Sequence, residues 1–317
     1  MNSILISPVG GQAMGGIIRY FKDKKKIIIG LDHNPHAIGR FFVDTFYQVP
    51  KVDDSEYRDK ILDIIRNTKD LFFISWLDPE IYFWNIQYQS GAIPKELVSS
   101  FGFNFRKDFS TFYDKYHLSQ LIDSQGLATP KTSLVQDYAV DNSYPRILKP
   151  RIGFGSRGIV KINSEGELNS LIHSLTRSGS IGEYIIQEFI SGKEFTVDFF
   201  AQSGNLENCV IRERIEHRGV SLRGEIVYKP EIEDIVERFC KLNKIDGINN
   251  IQVIQSEQTF YITDFNMRPS GTIMLSIMSG VDLLENVMEK RMGKTITHFG
   301  KPKKIKMIRY LSEYYYE

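Results

Sequence analysis

The sequence is poor in cysteine, lacks any long hydrophobic run and carries almost no net charge. Cys209 and Cys240 lie far apart without the spacing of metal ligands, which argues against a disulfide scaffold or a zinc site and favours a reducing compartment. The 40 Lys and Arg nearly balance the 39 Asp and Glu, so no polycationic surface points to nucleic acid or an anionic membrane. Small molecules are therefore the expected partners.

Signals for membrane insertion and for repeats are also missing. No segment approaches the roughly 20 apolar residues of a membrane span, and the N-terminal MNSILISPVGG has no charged region of the kind that opens a signal peptide. A soluble, cytoplasmic protein is expected. The 317 residues, 42% of them hydrophobic, suffice for two domains or for one large domain with a smaller subdomain.

The N-terminal region has the pattern of a parallel α/β sheet. SILIS, a glycine-rich turn, an amphipathic helix and KIIIGLD make a βαβ unit, and DLFFIS predicts a third buried strand. Ligands usually bind at the carboxyl ends of such strands. A nucleotide-dependent oxidoreductase is one interpretation, because Asp32 ends the second strand where a ribose-binding acid would lie. However, the glycine spacing of GGQAMGG does not fit GxGxxG.

Further elements follow along the chain. Residues 107–126 predict one helix that stops at Gly126, and SEGELNSLIHSLTR predicts a helix capped by Ser164. YIIQEFISGKEFTVD reads as two strands about Ser191 and Gly192, and the region ending in FYITDFNMRP reads as a hairpin that turns near residues 256–258.

A glycine loop between two predicted strands, within residues 145–162, is a candidate phosphate site. Its three glycines allow it to close over a ligand and to present backbone N–H groups to phosphate oxygens. Lys149 precedes it and could neutralise phosphate charge. The loop is not a P-loop, because the Gly-Lys-Ser/Thr ending and the following helix are missing. A simple hairpin turn is the alternative.

The stretch ITDFNMRPSGT places Asp264, Asn266 and Arg268 at alternate positions, which share one face in a β-strand. Carboxylate and amide oxygens suit Mg²⁺, and a guanidinium matches phosphate. The pattern therefore favours a metal and nucleotide site. The alternative is the solvent-facing side of an ordinary strand that runs into a turn.

In this order of elements the sequence resembles the ATP-grasp superfamily, in particular its carbamoyl phosphate synthetase large-chain and biotin carboxylase branch. ILISPVGGQAMGGIIRYFK and IIIGLDHNPHAIGRFFVDTFYQVP are similar to the branch's pre-ATP-grasp domain, and YDKYHLSQLIDSQGLATPKT looks like the helix that leads into its lid. The resemblance implies an α/β protein in three parts: a Rossmann-like pre-ATP-grasp domain (1–106), an α+β lid subdomain with a flexible glycine loop (107–188) and a C-terminal catalytic subdomain (189–317).

The resemblance also implies ATP and Mg²⁺ as cofactors, with Mn²⁺ as an alternative ion. Phosphate and lid contacts fall on Lys115, Lys149, Gly153, Gly155, Ser156 and Gly158. The adenine edge falls on Glu188, Phe189 and Ile190, with Gln187 as the alternative for the side-chain role, and the ribose contact falls on Glu194.

The two metal positions of the family fall on Gln252 and Asp264, with Asn266 completing the second. The family more usually has Glu at the second position and often an acid at the first. The lower anionic charge implies weaker or more selective metal binding. The resemblance implies that Arg268 holds the transferred phosphoryl group.

The acceptor side falls in CVIRERIEHRGVSLRGE, where Arg214 and Arg223 are the candidates for holding a carboxylate. A solvated basic edge strand is the alternative, and His217 is either a base or a structural residue.

The resemblance implies an ADP-forming ligase that converts a small-molecule carboxylate to an acyl phosphate and joins it to a small-molecule amine. A homodimer is the general expectation for such enzymes. An ATP-grasp kinase without ligation and a nucleotide-binding regulator are the alternatives. The family's nucleotide residues are retained, which argues against the regulator. A complete carbamoyl phosphate synthetase is not expected, because its large chain has two such halves and 317 residues supply one.

Overall fold

Three β-sheets and their connecting helices form the part of the chain that the computed structural model describes. It covers residues 1–139, 143–153, 155, 157–218, 220–294, 296, 300–310 and 312–316, with the backbone alone at 217, 218 and 220. Over these residues, no helix has the length and apolar character needed to cross a membrane.

The first sheet is parallel and confirms the predicted Rossmann-like α/β fold, with strand order β3-β2-β1-β4. β1 and β4 are buried at every position, so both faces of these strands are covered. This is expected for parallel strands that alternate with helices. The elements are β1 (Ser3–Ser7), α1 (Met14–Asp23), β2 (Ile27–Asp32), β3 (Thr45–Gln48), α2 (Tyr57–Arg66), β4 (Leu71–Ser75) and α3 (Asp78–Gln89).

The single helix predicted for residues 107–126 is wrong, because the chain forms two helices there. These are α4 (Phe109–Tyr113) and α5 (Lys115–Ser124), separated by Asp114 in an extended conformation at φ −87° and ψ 115°. The Asp114 carboxylate accepts the Tyr116 N–H and so caps α5. Gly126 ends the segment at φ +66°, as predicted.

The second sheet is antiparallel, with strand order β5-β8-β6-β7, and we call it the lid sheet. Its elements are β5 (Thr132–Leu134), β6 (Arg146–Pro150), β7 (Val160–Ile162), α6 (Glu165–Arg177) and β8 (Tyr184–Glu188). Ser164 caps α6 by accepting the Glu167 N–H, as its position in the sequence predicts. Leu148, Ile162 and Ile186 belong to a small core of the lid's own.

The third sheet has six strands in the order β13-β12-β9-β10-β11-β14, all paired antiparallel. The predicted hairpin is present, since one strand ends at Ser256 and the next begins at Thr259. The elements are β9 (Lys193–Gln202), β10 (Asn205–Arg218), β11 (Val220–Ile226), α7 (Pro230–Asn243), β12 (Gly247–Ser256), β13 (Thr259–Asn266), α8 (Ile273–Met278), α9 (Leu283–Arg291) and β14 (Lys306–Ile308).

The first and third sheets share a hydrophobic core, whereas the lid sheet has its own. Ile4 and Ile17 from the first sheet's layer are buried in one cluster with Ile273 and Leu284 of α8 and α9. Phe112 of α4 and Leu118 and Ile122 of α5 are buried in the core of the third sheet. The domain boundaries at residues 106 and 188 stay a prediction.

Candidate active site

The β12–β13 pair carries a row of polar side chains at the front of the third sheet. Gln252 lies opposite Asp264, and Asn250 lies opposite Asn266. The Asn266 amide nitrogen is 3.3 Å from the Asn250 side-chain oxygen and 3.4 Å from Oδ2 of Asp264. The two predicted metal positions are therefore neighbours across one strand pair, and Asn250 joins them as a residue that the sequence interpretation did not select.

A β-bulge puts the row on that face. The pairing register shifts between Gln252 and Val253, so two residues of β13 oppose Gln252. As a result Ile262 and Phe265 both reach the core of the third sheet, although strict alternation would place Ile262 on the same face as Asp264. The bulge therefore re-aims the carboxylate without exposing the apolar residues.

The start of α5 forms the second wall of the site. Lys115 Nζ donates to the Gly153 carbonyl at 2.7 Å, and the Lys115 backbone N–H donates to the Arg151 carbonyl at 3.0 Å. The Asp114 carboxylate accepts from the Arg151 guanidinium at 2.6 and 3.1 Å. This clamp holds the start of α5 against the end of β6 and brings Lys115 beside the glycine loop.

Lys149 lies on β6 and is only 7% exposed. Its side-chain ammonium has no ion pair within 4.0 Å and no hydrogen bond to any described residue. Burial lowers the pKa of its ammonium to about 8, the charge of Asp264 raises this pKa in part, and the charge of Lys115 lowers it further. An unpaired buried ammonium is costly. The site therefore fits an anionic group such as a phosphate.

One small cavity of about 20 Å³ brings together residues from four parts of the chain. It is lined by Asp78, Phe109, Phe112, Tyr113, Lys115, Gly153, Asp264, Phe265, Asn266 and Met267. A wider, open groove of about 570 Å³ lies beside the segment that joins β8 to β9, around Gly192 and Gln255. The small cavity is the candidate site, because Lys115, Gly153, Asp264 and Asn266 of the predicted phosphate and metal residues line it, whereas none of the predicted phosphate and metal residues lines the groove.

Arg268 lies just beyond β13, and its guanidinium is bound by a residue of the first sheet's layer. Nε and Nη2 of Arg268 each lie 2.6 Å from a carboxylate oxygen of Asp78, the first residue of α3. The sequence interpretation missed Asp78. Its one local signal is a carboxylate directly after a buried parallel strand, at the edge where ligands bind.

The segment after β8, predicted to meet adenine, leaves main-chain groups available. In the described part of the chain, no backbone–backbone hydrogen bond outside helices and strands involves Phe189 or Ile190. The Glu188 N–H donates to the Lys131 carbonyl. Gln187 is buried and its amide donates to the Thr132 hydroxyl at 2.8 Å.

The glycine loop has the backbone freedom that its sequence predicts. Gly155 and Gly158 adopt φ values of +65° and +74°, which L side chains rarely adopt. Ser156 lies outside the described residues, so its predicted contact stays a prediction.

Arg214 connects the predicted ribose and metal positions. Its Nη1 lies 3.1 Å from Oε2 of Glu194 and 3.5 Å from Oε1 of Gln252. Burial lowers the pKa of Arg214, and the charge of Glu194 partly offsets this. The predicted carboxylate grip of Arg214 is therefore occupied by Glu194, whereas the other candidate, Arg223, is exposed. The side chain of His217 lies outside the described residues.

Family comparisons match both ends of this architecture. Residues 180–314 match the family described as ATP-grasp in the biosynthetic pathway with Ter operon. The chain contains an ATP-grasp domain. Residues 4–90, ahead of that ATP-grasp domain, match the PylC-like N-terminal domain family. The resemblance drawn from the sequence is confirmed.

Individual relatives of the chain are distant. The carbamoyl phosphate synthase large chain of Thermoanaerobacter sp. (strain X514) is 26% identical over 204 residues, which is 59% of this chain and 19% of that protein. The chain thus spans about a fifth of the length of that relative.

Solved structures agree with the ATP-grasp fold. The biotin carboxylase domain of the Hydrogenobacter thermophilus 2-oxoglutarate carboxylase, a dimer in complex with MgADP, ADP and bicarbonate, superposes with a TM-score of 0.73 at 17% identity, covering 92% of this chain and 70% of that one. The L-amino acid ligase of Bacillus licheniformis superposes with a TM-score of 0.65 at 14% identity, covering 92% and 74%. At these identities the likeness concerns the fold alone.

Proposed function

We propose that the protein is an ADP-forming ligase that activates a small-molecule carboxylate as an acyl phosphate and joins it to a small-molecule amine. The observation that carries the proposal is one cavity lined by Lys115, Gly153, Asp264 and Asn266. The buried Lys149, whose ammonium has no partner among the described residues, feels the charge of Asp264. The glycine loop of the lid, the start of α5 and strand β13 thus meet at one place, where cationic groups, a carboxylate and an amide lie together. The similarity to a carbamoyl phosphate synthase large chain and to an L-amino acid ligase supports the reaction class.

The nucleotide would bind between the lid sheet and the third sheet. Lys115 and Lys149 supply the positive charge for its phosphates, because Lys149 has no anion of its own within 4.0 Å in the described residues. The free main chain at Phe189 and Ile190 suits the edge of the adenine base. Glu194 serves the ribose hydroxyls from a position that Arg214 already orients.

The donor set fits a magnesium ion held largely by nucleotide phosphates. Asp264 offers one carboxylate, and Gln252 and Asn266 offer amide oxygens from adjacent strands. The described residues contain no group of three or more His, Cys, Asp or Glu that would hold a metal without the nucleotide. Proteins bind Mg²⁺ through one or two carboxylates plus substrate phosphates, and Mn²⁺ is the alternative ion. Once bound, the ion would neutralise charge on the phosphates.

The chemistry needs charge neutralisation and alignment more than a protein nucleophile. A carboxylate is a poor electrophile because oxide is a poor leaving group, whereas the phosphate of an acyl phosphate leaves readily. The work of the protein is therefore to align donor and acceptor in a positive field. A lid closed over the site would keep water from the intermediate.

The test is ³¹P NMR of the protein with Mg-ATP and a pool of small carboxylates and amines. We expect ADP and free phosphate that depend on both pools. Asp264→Asn should lower turnover about 100-fold or more, because it removes the site's carboxylate from the metal position. Asp59→Asn, a change at an exposed residue of α2, should leave turnover unchanged.

Two outcomes would contradict the proposal. Unchanged turnover in Asp264→Asn would remove the metal assignment. ADP with a new phosphorus resonance and no free phosphate would make the protein a kinase.

A further inference from the structure

The Asp78–Arg268 pair joins two layers of the molecule at the candidate site, and the proposed function gives no role to Asp78. The two contacts of 2.6 Å join residues 190 positions apart in the chain. Their side chains are only 12% and 15% exposed. A bidentate pair of this burial is shielded from solvent and holds the guanidinium plane in one orientation.

Among the described residues, the pair leaves part of the guanidinium free. Arginine has five N–H donors in one plane. Asp78 takes the one on Nε and one on Nη2, and the Pro269 carbonyl takes one on Nη1 at 3.1 Å. One N–H on each terminal nitrogen therefore remains, and two such donors match two oxygens of a phosphoryl group. Asp78 orients Arg268 without using up its capacity for phosphate.

The surroundings of the pair are also fixed. The Asn250 side chain donates to the Arg268 carbonyl at 2.9 Å, and the indole N–H of Trp76 donates to the Ser270 carbonyl at 3.3 Å. The backbone on both sides of the Arg268 side chain is thus held by β12 and by the turn that carries Asp78. All of these contacts are made by the protein's own residues, as preorganised charge stabilisation requires.

We propose that Asp78 is a positioning residue that aims the free N–H pair of Arg268 at the transferred phosphoryl group. The proposal rests on the proposed function, because it takes the cavity as the site of phosphoryl transfer and Arg268 as the phosphoryl contact that the family resemblance implies. Asp78 acts through Arg268, so its loss should affect the terminal phosphoryl group and leave the rest of the nucleotide alone.

The experiment measures binding by isothermal titration calorimetry, first of Mg-ADP and then of Mg-ADP with beryllium fluoride, which takes the place of the γ-phosphoryl group. In the unaltered protein the fluoride should increase affinity. Asp78→Asn should leave the Mg-ADP affinity within about twofold and lower the fluoride increment about tenfold, the scale of a charged hydrogen bond. Arg268→Gln should lower the fluoride increment to the same extent. The variant that combines Asp78→Asn with Arg268→Gln should show no further loss of the increment.

Asp282→Asn is the matched control. Asp282 binds Tyr20 and Lys24, so it also joins the first and third sheets' layers, and its side chain is 13% exposed. This variant should keep the full fluoride increment.

The outcomes separate this inference from the proposed function. An absence of Mg-ADP binding contradicts the proposed function itself. If Mg-ADP binds normally, three results would overturn only the role of Asp78. These are a missing fluoride increment in the unaltered protein, a full increment in Asp78→Asn, and a further loss of affinity when Asp78→Asn is added to Arg268→Gln. If Asp78→Asn fails to fold, Arg268→Lys replaces it, since lysine keeps the charge without the planar fork. A retained increment in that variant overturns the role as well.

Discussion

Lys149 shows how burial prepares a residue for an anion. Its pKa of about 8 in the folded chain lies below the ordinary 10.5, because burial disfavours the charged form. The unfolded chain therefore binds more protons between these two values, and the stability of the fold rises with pH across that window. Below pH 8 the ammonium is charged in both states, and the cost of burying it is fully present.

We expect nucleotide binding to take up a proton at Lys149, since phosphate favours the charged form. Calorimetry of Mg-ADP binding at pH 8.5, in two buffers of different ionisation enthalpy, should show uptake of a fraction of a proton. Lys149→Met should weaken binding and abolish this uptake, whereas Lys60→Met, at an exposed residue of α2, should change neither. The same proton uptake in Lys149→Met would contradict the assignment.

The sequence predicted residues of the site where the signal is local, and it missed one where the signal is distant. Asp264 and Asn266 follow from alternation along one strand. Asp78 could not be predicted in this way, because its partner Arg268 lies 190 positions away and no local pattern in WLDPE indicates that contact. The bulge at Gln252 could not be predicted from the alternation of residues either, since it is a property of the pairing between two strands and not of the sequence of either one.

At the scale of elements, the caps were predictable and the helix break was not. Ser164 and Gly126 act within one turn of their own helices, so the residue type is enough. Asp114 interrupts a helical pattern because its carboxylate caps α5 and also pairs with Arg151, the residue that follows β6 of the lid sheet. That second partner exists only in the folded molecule.

Gly192 offers a prediction about the segment between β8 and β9. A Cβ at this position would lie 2.0 Å from the Gln255 carbonyl oxygen, so Gly192→Ala must displace backbone. We expect a loss of about 1–3 kcal/mol, the scale of overpacking, measured by urea denaturation. Gly166→Ala on α6, where nothing lies within 4 Å, should cause no such loss. Equal stability of the two variants would mean that the close approach is readily relieved.

At the scale of the whole molecule, the shared core predicts which parts unfold together. Leu284 is fully buried in the cluster that joins α9 to α1 and β1. Leu284→Ala should therefore lower the opening free energies of α1 and α9 alike, by about 2–5 kcal/mol, in hydrogen exchange read by mass spectrometry. Peptides of the lid sheet should keep their own exchange rates. A loss confined to α9 would contradict the shared core.

The sequence predicted the parallel first sheet and the hairpin of β12 and β13, but not the contacts between the sheets. Alternating strands and helices predict a parallel sheet, and hairpins predict antiparallel pairing. The residues that hold the layers together, such as Tyr20 on Asp282 at 2.8 Å, lie 262 positions apart and carry no local pattern.

The lid sheet is attached through two neighbouring chain crossings. The chain enters through residues that are bound to β13, where Ile262 and Ala128 share a 2.8 Å backbone hydrogen bond, and it leaves at Gly192 against Gln255. The entering and leaving strands are themselves paired, with Thr132 beside Gln187. Such a double attachment allows swinging about one axis and resists twisting, so the admission of a nucleotide and the release of its product would depend on the same few backbone torsions.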